Sequence, residues 1–245
     1  MAEFNTMRTA AGTRTAAIDE GLRAHMNKVY GTMSVGMLLT FLVAWAVGTT
    51  PEVFAIFRNP QTMQPNLFGW ILMFAPLIMV FAFGAAINRL SAAGAQLFFY
   101  VFAAVMGASL SWIFIAYTGV SIAQVFLITA IAFAGLSLYG YTTKKDISGW
   151  GAFLIMGVIG LLIASVVNIF MASPALQFAI SAIGVLIFAG LTAYDTQRIK
   201  TTYLQMAHTG DKEWLGKAAI MGALSLYMDF INMFMFMLQF FGNRN

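Results

Sequence analysis

The run Ala223-Leu-Ser-Leu-Tyr-Met-Asp-Phe-Ile-Asn-Met-Phe-Met-Phe-Met-Leu238 is apolar almost throughout, yet it holds a carboxylate, Asp229, near its middle. A second apolar run, Ala179 to Tyr194, closes on Asp195. A stretch of this hydropathy reads as a membrane helix. An acidic group placed in one costs roughly 2.5–3.5 kcal/mol on insertion scales, so such groups usually face the protein interior and mark a proton or ion path. The chain has nine acids, and only Asp195 and Asp229 fall at membrane depth.

The rest of the sequence agrees with a membrane class. Hydrophobic residues make up 60% of the 245, charged residues only 9%, and mean hydropathy is +0.82, whereas a soluble domain carries about 25% charged residues. A span needs about 20 apolar residues to cross a hydrocarbon core of roughly 30 Å. Seven stretches meet that length: about 31–49, 68–87, 96–117, 121–141, 151–171, 176–199 and 218–241. The fold class is therefore all-α, a polytopic membrane protein of seven transmembrane helices. Residues 1–28 read as a polar N-terminal tail and residues 29–245 as the transmembrane domain. The opening residues hold no short apolar core before a small-residue cleavage site, so no cleaved signal peptide is expected. The links Thr118 to Val120 and Ala172 to Pro174 are short enough for tight helical hairpins, and the longest outer loop, 50–67, carries Pro51, Pro60 and Pro65.

Lys and Arg placement sets the expected orientation. With the N-terminus inside, Arg8, Arg14, Arg23, Lys28, Arg89, Lys144, Lys145, Arg198, Lys200, Lys212 and Lys217 lie on the inner side, leaving only Arg58 and Arg244 outside. The N-terminus is thus expected to be cytoplasmic and, with an odd span count, the C-terminus external. Both aspartates then fall in the cytoplasmic half: Asp195 about one turn from the inner end of the sixth span, and Asp229 roughly 10–16 Å into the seventh at 1.5 Å per residue.

Several chemistries are excluded or poorly supported. There is no cysteine, hence no disulfide framework or thiolate metal site. His25 and His208 stand apart from each other in polar segments, which disfavours a histidine metal site. The basic residues are scattered rather than clustered, so nucleic acid is not an expected partner. No cofactor motif is present, and Met233, Met235 and Met237 read as gap-fillers in a core. The stripe Ala103, Gly107, Ser111 predicts close helix approach in the third span.

Two carboxyls in contact cannot both ionise cheaply and share a proton instead. Arg89, in Ala86-Ile-Asn-Arg-Leu-Ser91 at the inner end of the second span, would favour the ionised form if it reached them. The blander readings are that Asp195 is a helix-end residue reaching water and paired with Arg198 or Lys200, and that Arg89 simply obeys the positive-inside rule. An intramembrane aspartyl protease also uses two aspartates on adjacent helices, the first often after tyrosine as in Tyr194-Asp195. Its second motif, however, is Gly-x-Gly-Asp, and here Leu226-Tyr-Met-Asp229 lacks those glycines.

The segments Ala193-Tyr-Asp-Thr-Gln-Arg-Ile-Lys200 and Ala223-Leu-Ser-Leu-Tyr-Met-Asp-Phe-Ile-Asn-Met-Phe234, with Leu138-Tyr-Gly-Tyr-Thr-Thr-Lys-Lys-Asp146, resemble the signature segments of the Bax inhibitor-1 (transmembrane Bax inhibitor motif) family. The similarity runs from about Gly31 to Gly242, and the polar N-terminal tail resembles that of bacterial members. The resemblance implies seven helices with the last near the centre, a bacterial inner-membrane location, and a pH-sensitive calcium leak rather than an enzyme. It also implies that Asp195 and Asp229 form the proton sensor and ion gate, with Arg89 as the second-helix latch onto Asp195. Protons, lipid bilayer and calcium ions are then the expected partners, the two carboxylates holding calcium only weakly and transiently. The rival reading within the family is a non-transporting regulator of a membrane-bound protease or stress response, with the N-terminal tail as contact segment.

Overall fold

A computed structural model describes residues 2–59, 61–62 and 64–245, with the side chains of residues 2–17 outside the description. Pro60 therefore lies outside the described residues, as do the side chains of Arg8 and Arg14. The described chain is helical almost throughout. The helices are α1 (Ala2–Thr49), α2 (Pro51–Phe57), α3 (Leu67–Ala86), α4 (Ala92–Leu110), α5 (Ile113–Ala116), α6 (Gly119–Thr142), α7 (Trp150–Met171), α8 (Pro174–Met206) and α9 (Lys212–Phe241). Seven stretches are long and apolar enough to cross a membrane: α1 from Ile18, α3, α4 with α5, α6, α7, α8 and α9.

The helix starts follow local chemistry. Asn66, Ser91, Thr118, Ser173 and Asp211 each accept a hydrogen bond from a backbone N–H in the first turn of α3, α4, α6, α8 and α9, satisfying a donor that would otherwise be orphaned. Pro51 and Pro174 occupy first-turn positions, where a missing N–H costs nothing. The short α7–α8 link is made by Ala172 in the left-handed region at φ 47°, a conformation that usually calls for glycine.

Helix α9 is the centre of the bundle. In its apolar stretch 61% of residues are buried, against 11% in α7, and it packs on α1, α4, α6 and α8. Ile220, Ala223, Leu226, Tyr227, Met233 and Leu238 on α9 are almost wholly enclosed. Met233 and Met237 lie in that core, with Met237 Sδ accepting a hydrogen bond from Thr129 at 3.2 Å. By contrast α3 and α7 expose Phe81, Phe153 and Phe170, which is stable only against hydrocarbon. The small-residue stripe performs as expected. A side chain at Gly107 would collide with the Thr40 backbone of α1, and Thr40 Oγ1 donates to Ala103 O at 2.8 Å.

Two features differ from the sequence reading. First, α1 is continuous across residue 28. Leu22, Met26, Val29, Met33, Gly36, Thr40, Ala44 and Val47 form one buried stripe at three- and four-residue spacing. The bundle therefore begins near Leu22, inside the segment assigned to the polar tail, because that stripe continues through otherwise polar surroundings. Second, α8 and α9 extend past the apolar runs to Met206 and from Lys212, so both aspartates sit further from the helix ends than the hydropathy limits imply.

The chain's ends leave from opposite ends of the bundle. The C-terminal residues pair with the α5–α6 link, Thr118 N donating to Asn243 O and Asn245 N to Ala116 O. The same end holds the α1 C-terminus, where a side chain at Gly48 would meet the Ser111 carbonyl.

Candidate functional site

Asp195 and Asp229 face each other's helices within the protein interior. Contacts between α8 and α9 fix the register. Arg198 Nη2 donates to Ser225 Oγ at 3.2 Å, Gly222 lies under Ile199, and Gly184 lies under Phe236. These contacts put Asp195 level with about Leu226, so Asp229 lies within about one turn of it. Asp195 is 7% exposed and Asp229 4%. The charge of Asp195 acts on Asp229, and that of Arg198 on both carboxyls. Asp229 Oδ2 is buried with no hydrogen-bond partner among the described residues, an arrangement that costs free energy wherever it occurs.

The cation at the site is Arg198. Its Nη2 lies 3.4 Å from Asp195 Oδ1, and its guanidinium sits over the Tyr194 ring. Arg89 does not reach Asp195. It is exposed in the turn after α3, its backbone N–H donating to Ala86 O, and no ion pair joins it to Asp195 among the described residues. The reason is topological: α3 packs on α4 and α2, whereas Arg198 lies one turn from Asp195 on α8 itself. The pairing with Arg198 that a helix-end reading expects is thus formed, but on a buried aspartate.

The residues around Asp195 each take a separate partner. Tyr194 lies against Gly151 of α7, where any side chain would clash with its hydroxyl. Thr196 Oγ1 bonds Ser137 Oγ at 2.9 Å and donates to Thr192 O at 2.8 Å. Ser137 in turn bonds the Tyr30 hydroxyl. Gln197 clamps the loop after α6, accepting from Ile147 N at 2.9 Å and donating to Lys145 O at 2.8 Å. Lys200 Nζ donates to Tyr141 O at 2.7 Å. A side chain at Gly140 would collide with the Ala193 carbonyl, so α6 approaches α8 closely just before Asp195. Around Asp229, Tyr227 bonds Thr40 Oγ1 at 2.6 Å and packs edge-on against Phe99 and Phe102. Phe230 packs against Phe126 and Phe133 of α6.

The hydroxyl chain Tyr30–Ser137–Thr196 and the Thr40–Tyr227 pair escape a reading of charged residues alone. Their signal is weaker: hydroxyls inside apolar helices must find partners across a helix interface. Among the described residues no three acids or histidines cluster to hold a metal. His25, placed by sequence in a polar segment, is buried against the Tyr203 ring of α8.

This arrangement defines a multi-pass membrane protein with a pair of buried carboxyls on its central helix and that helix's neighbour. The family described as "Inhibitor of apoptosis-promoting Bax1" matches residues 22–245. Inner membrane protein YbhL of Escherichia coli is 46% identical over 224 residues, 91% of this chain and 93% of its own. An uncharacterized protein of Caulobacter vibrioides is 44% identical over 231 residues, 93% of this chain and 92% of its own. An uncharacterized membrane protein of Streptococcus pyogenes is 33% identical over 229 residues, 93% and 96% respectively. The chain belongs to the Bax inhibitor-1 family.

Proposed function

We propose that this protein is a proton-regulated cation leak pathway, with calcium the permeant ion and the Asp195–Asp229 pair as its gate. The observation that carries the reading is the orphaned Asp229 Oδ2, buried within electrostatic reach of a second carboxyl. A fold maintains such a group at a cost in stability, and proton sharing between the carboxyls relieves it. While the pair is charged, Arg198 holds Asp195 and reaches Ser225 on α9, tying the two helices together. Protonation removes the charge that Arg198 holds and loosens that tie, and the helices separate enough for a cation to pass. Two carboxylates with neighbouring hydroxyls fall short of the six to eight oxygens of a tight calcium site, which suits passage rather than storage. In this reading Arg198 takes the role that the family resemblance assigned to Arg89; Arg89 could join only after α3 moves.

The continuous α9 backbone at Asp229, filled by the buried Leu226 and Tyr227, favours a non-enzymatic role over aspartyl proteolysis. The inner-membrane name of the Escherichia coli relative and the basic-residue distribution support an inner-membrane location with the α1 N-terminus cytoplasmic. Reconstitution in liposomes loaded with a calcium dye tests the proposal. Calcium entry above that of protein-free liposomes is expected, and entry equal to theirs refutes it.

One observation favours a second role. Helix α1 has 48 residues, about 72 Å at 1.5 Å each, far more than a bilayer requires. Its N-terminal part is a natural contact segment for a membrane-bound protease. Removal of residues 2–17 with liposome flux retained and a cellular phenotype lost would assign that phenotype to regulation.

A further inference from the structure

An apolar groove of about 1280 Å3 runs between α1 and α6, with Phe230, Ile231 and Phe234 of α9 as its floor. Neither Asp195 nor Asp229 lines it. Leu38 and Phe41 on α1 and Leu127 and Leu138 on α6 line it and are substantially exposed, so it opens sideways toward lipid rather than toward water. Ile113 and Phe114 of α5 close one end. The other end is polar: Arg23, Asn27, Tyr30, Ser137 and Tyr141 line the groove there.

The charge of this groove and its opening toward lipid select its occupant. A hydrocarbon chain is thin enough to enter. Arg23 makes no hydrogen bond or ion pair with any described residue, and Asp19 and Glu20, one turn nearer the N-terminus, leave it unpaired. It sits two turns before Tyr30 and 26 residues before the end of α1 at Thr49, about 39 Å along the helix at 1.5 Å per residue, beyond the roughly 30 Å of a hydrocarbon core. The ammonium of Lys200 lies beside Tyr141 at the same mouth. Basic residues at the mouth of a pocket between membrane helices select anionic headgroups.

We infer that this groove is a phospholipid site, taking an acyl chain along α1 and α6 with an anionic headgroup phosphate held by Arg23. The site requires no part of the leak mechanism, and its test is independent of it. Native mass spectrometry of the purified protein, incubated with phosphatidylglycerol or phosphatidylcholine of identical chains, reads the occupancy. The expected result is at least fivefold more bound phosphatidylglycerol than phosphatidylcholine. Arg23→Gln should bring the two to parity while some lipid remains, and Ala134→Trp, which fills the groove from the exposed face of α6, should remove both adducts. Circular dichroism and monodispersity check that each variant folds, and Ala123→Trp, one further groove-lining position, gives a second blocking variant if Ala134→Trp does not. Equal retention of the two lipids by the wild type overturns the proposal. So does an Arg23→Gln protein that keeps the preference, unchanged adducts in a folded blocking variant, or a protein dimer that these variants dissociate in place of lipid.

Discussion

Replacing Asp229 with Asn should make the protein more stable while removing its pH response. The carboxyl is 4% exposed and its Oδ2 has no hydrogen-bond partner among the described residues. A buried acceptor left unpaired costs about 1–3 kcal/mol, and more when charged. Asn keeps the shape, needs no shared proton to avoid a second charge beside Asp195, and offers an N–H to that same carboxyl. Its own second N–H then needs a partner, which holds the net gain to about 1–2 kcal/mol. For a chain of this size each kcal/mol is worth about 2–4 °C in Tm, so the melting temperature in detergent at neutral pH should rise by about 2–8 °C. Tyr227→Phe is the control. It removes the 2.6 Å bond to Thr40 from an equally buried site and should lower stability by about 1 kcal/mol. If Asp229→Asn melts at or below the wild-type temperature while retaining the helical fold, the carboxylate is not an uncompensated cost. The idea that it is retained for function then loses its physical basis.

Three further outcomes follow from particular contacts. Arg198→Gln removes the cation 3.4 Å from Asp195; because that side chain is half exposed, stability should change by less than about 1 kcal/mol, while calcium flux into liposomes at neutral pH rises toward the wild-type acidic level, since the tie from Asp195 through Arg198 to Ser225 is gone at every pH. Gly140→Val drives a side chain into the Ala193 carbonyl and should cost about 1–3 kcal/mol in thermal unfolding, whereas Gly135→Ala, with open space beside it, should be neutral or slightly stabilising. Asp146, in the loop after α6, is held below the usual carboxylate range by hydrogen bonds from Ser148. Its contribution is therefore complete above the ordinary carboxylate range and is lost only as pH falls through that lowered value, so Asp146→Asn should leave the flux–pH profile in mildly acidic buffer unchanged.

Much of the fold was legible because lipid is a simple solvent. Twenty apolar residues mark a span whatever they pack against, and the seven spans lie where hydropathy puts them, to within a few residues at most ends. The exceptions are the starts of α1 and α9 and the end of α8, where helices continue into water and hydropathy goes silent. Leu22 and Met26 were missed as bundle residues because their spacing, not the local average, carries the information. The carboxyls were legible as energetic anomalies. Their partners were less so: Arg89 and Arg198 both lie near helix ends, and only the packing of α3 on α4 rather than α8 separates them. The Tyr30–Ser137–Thr196 chain joins three helices whose adjacency is a tertiary property, so single-helix periodicity does not expose it.

The central claim is that protonation of the Asp195–Asp229 pair controls cation passage. The most direct measurement is the ratio of calcium flux in mildly acidic to mildly alkaline buffer for liposomes holding wild type, Asp195→Asn or Asp229→Asn. A wild-type ratio well away from one that collapses to one in both variants is the expected result; ratios that match the wild type in both variants would contradict the account.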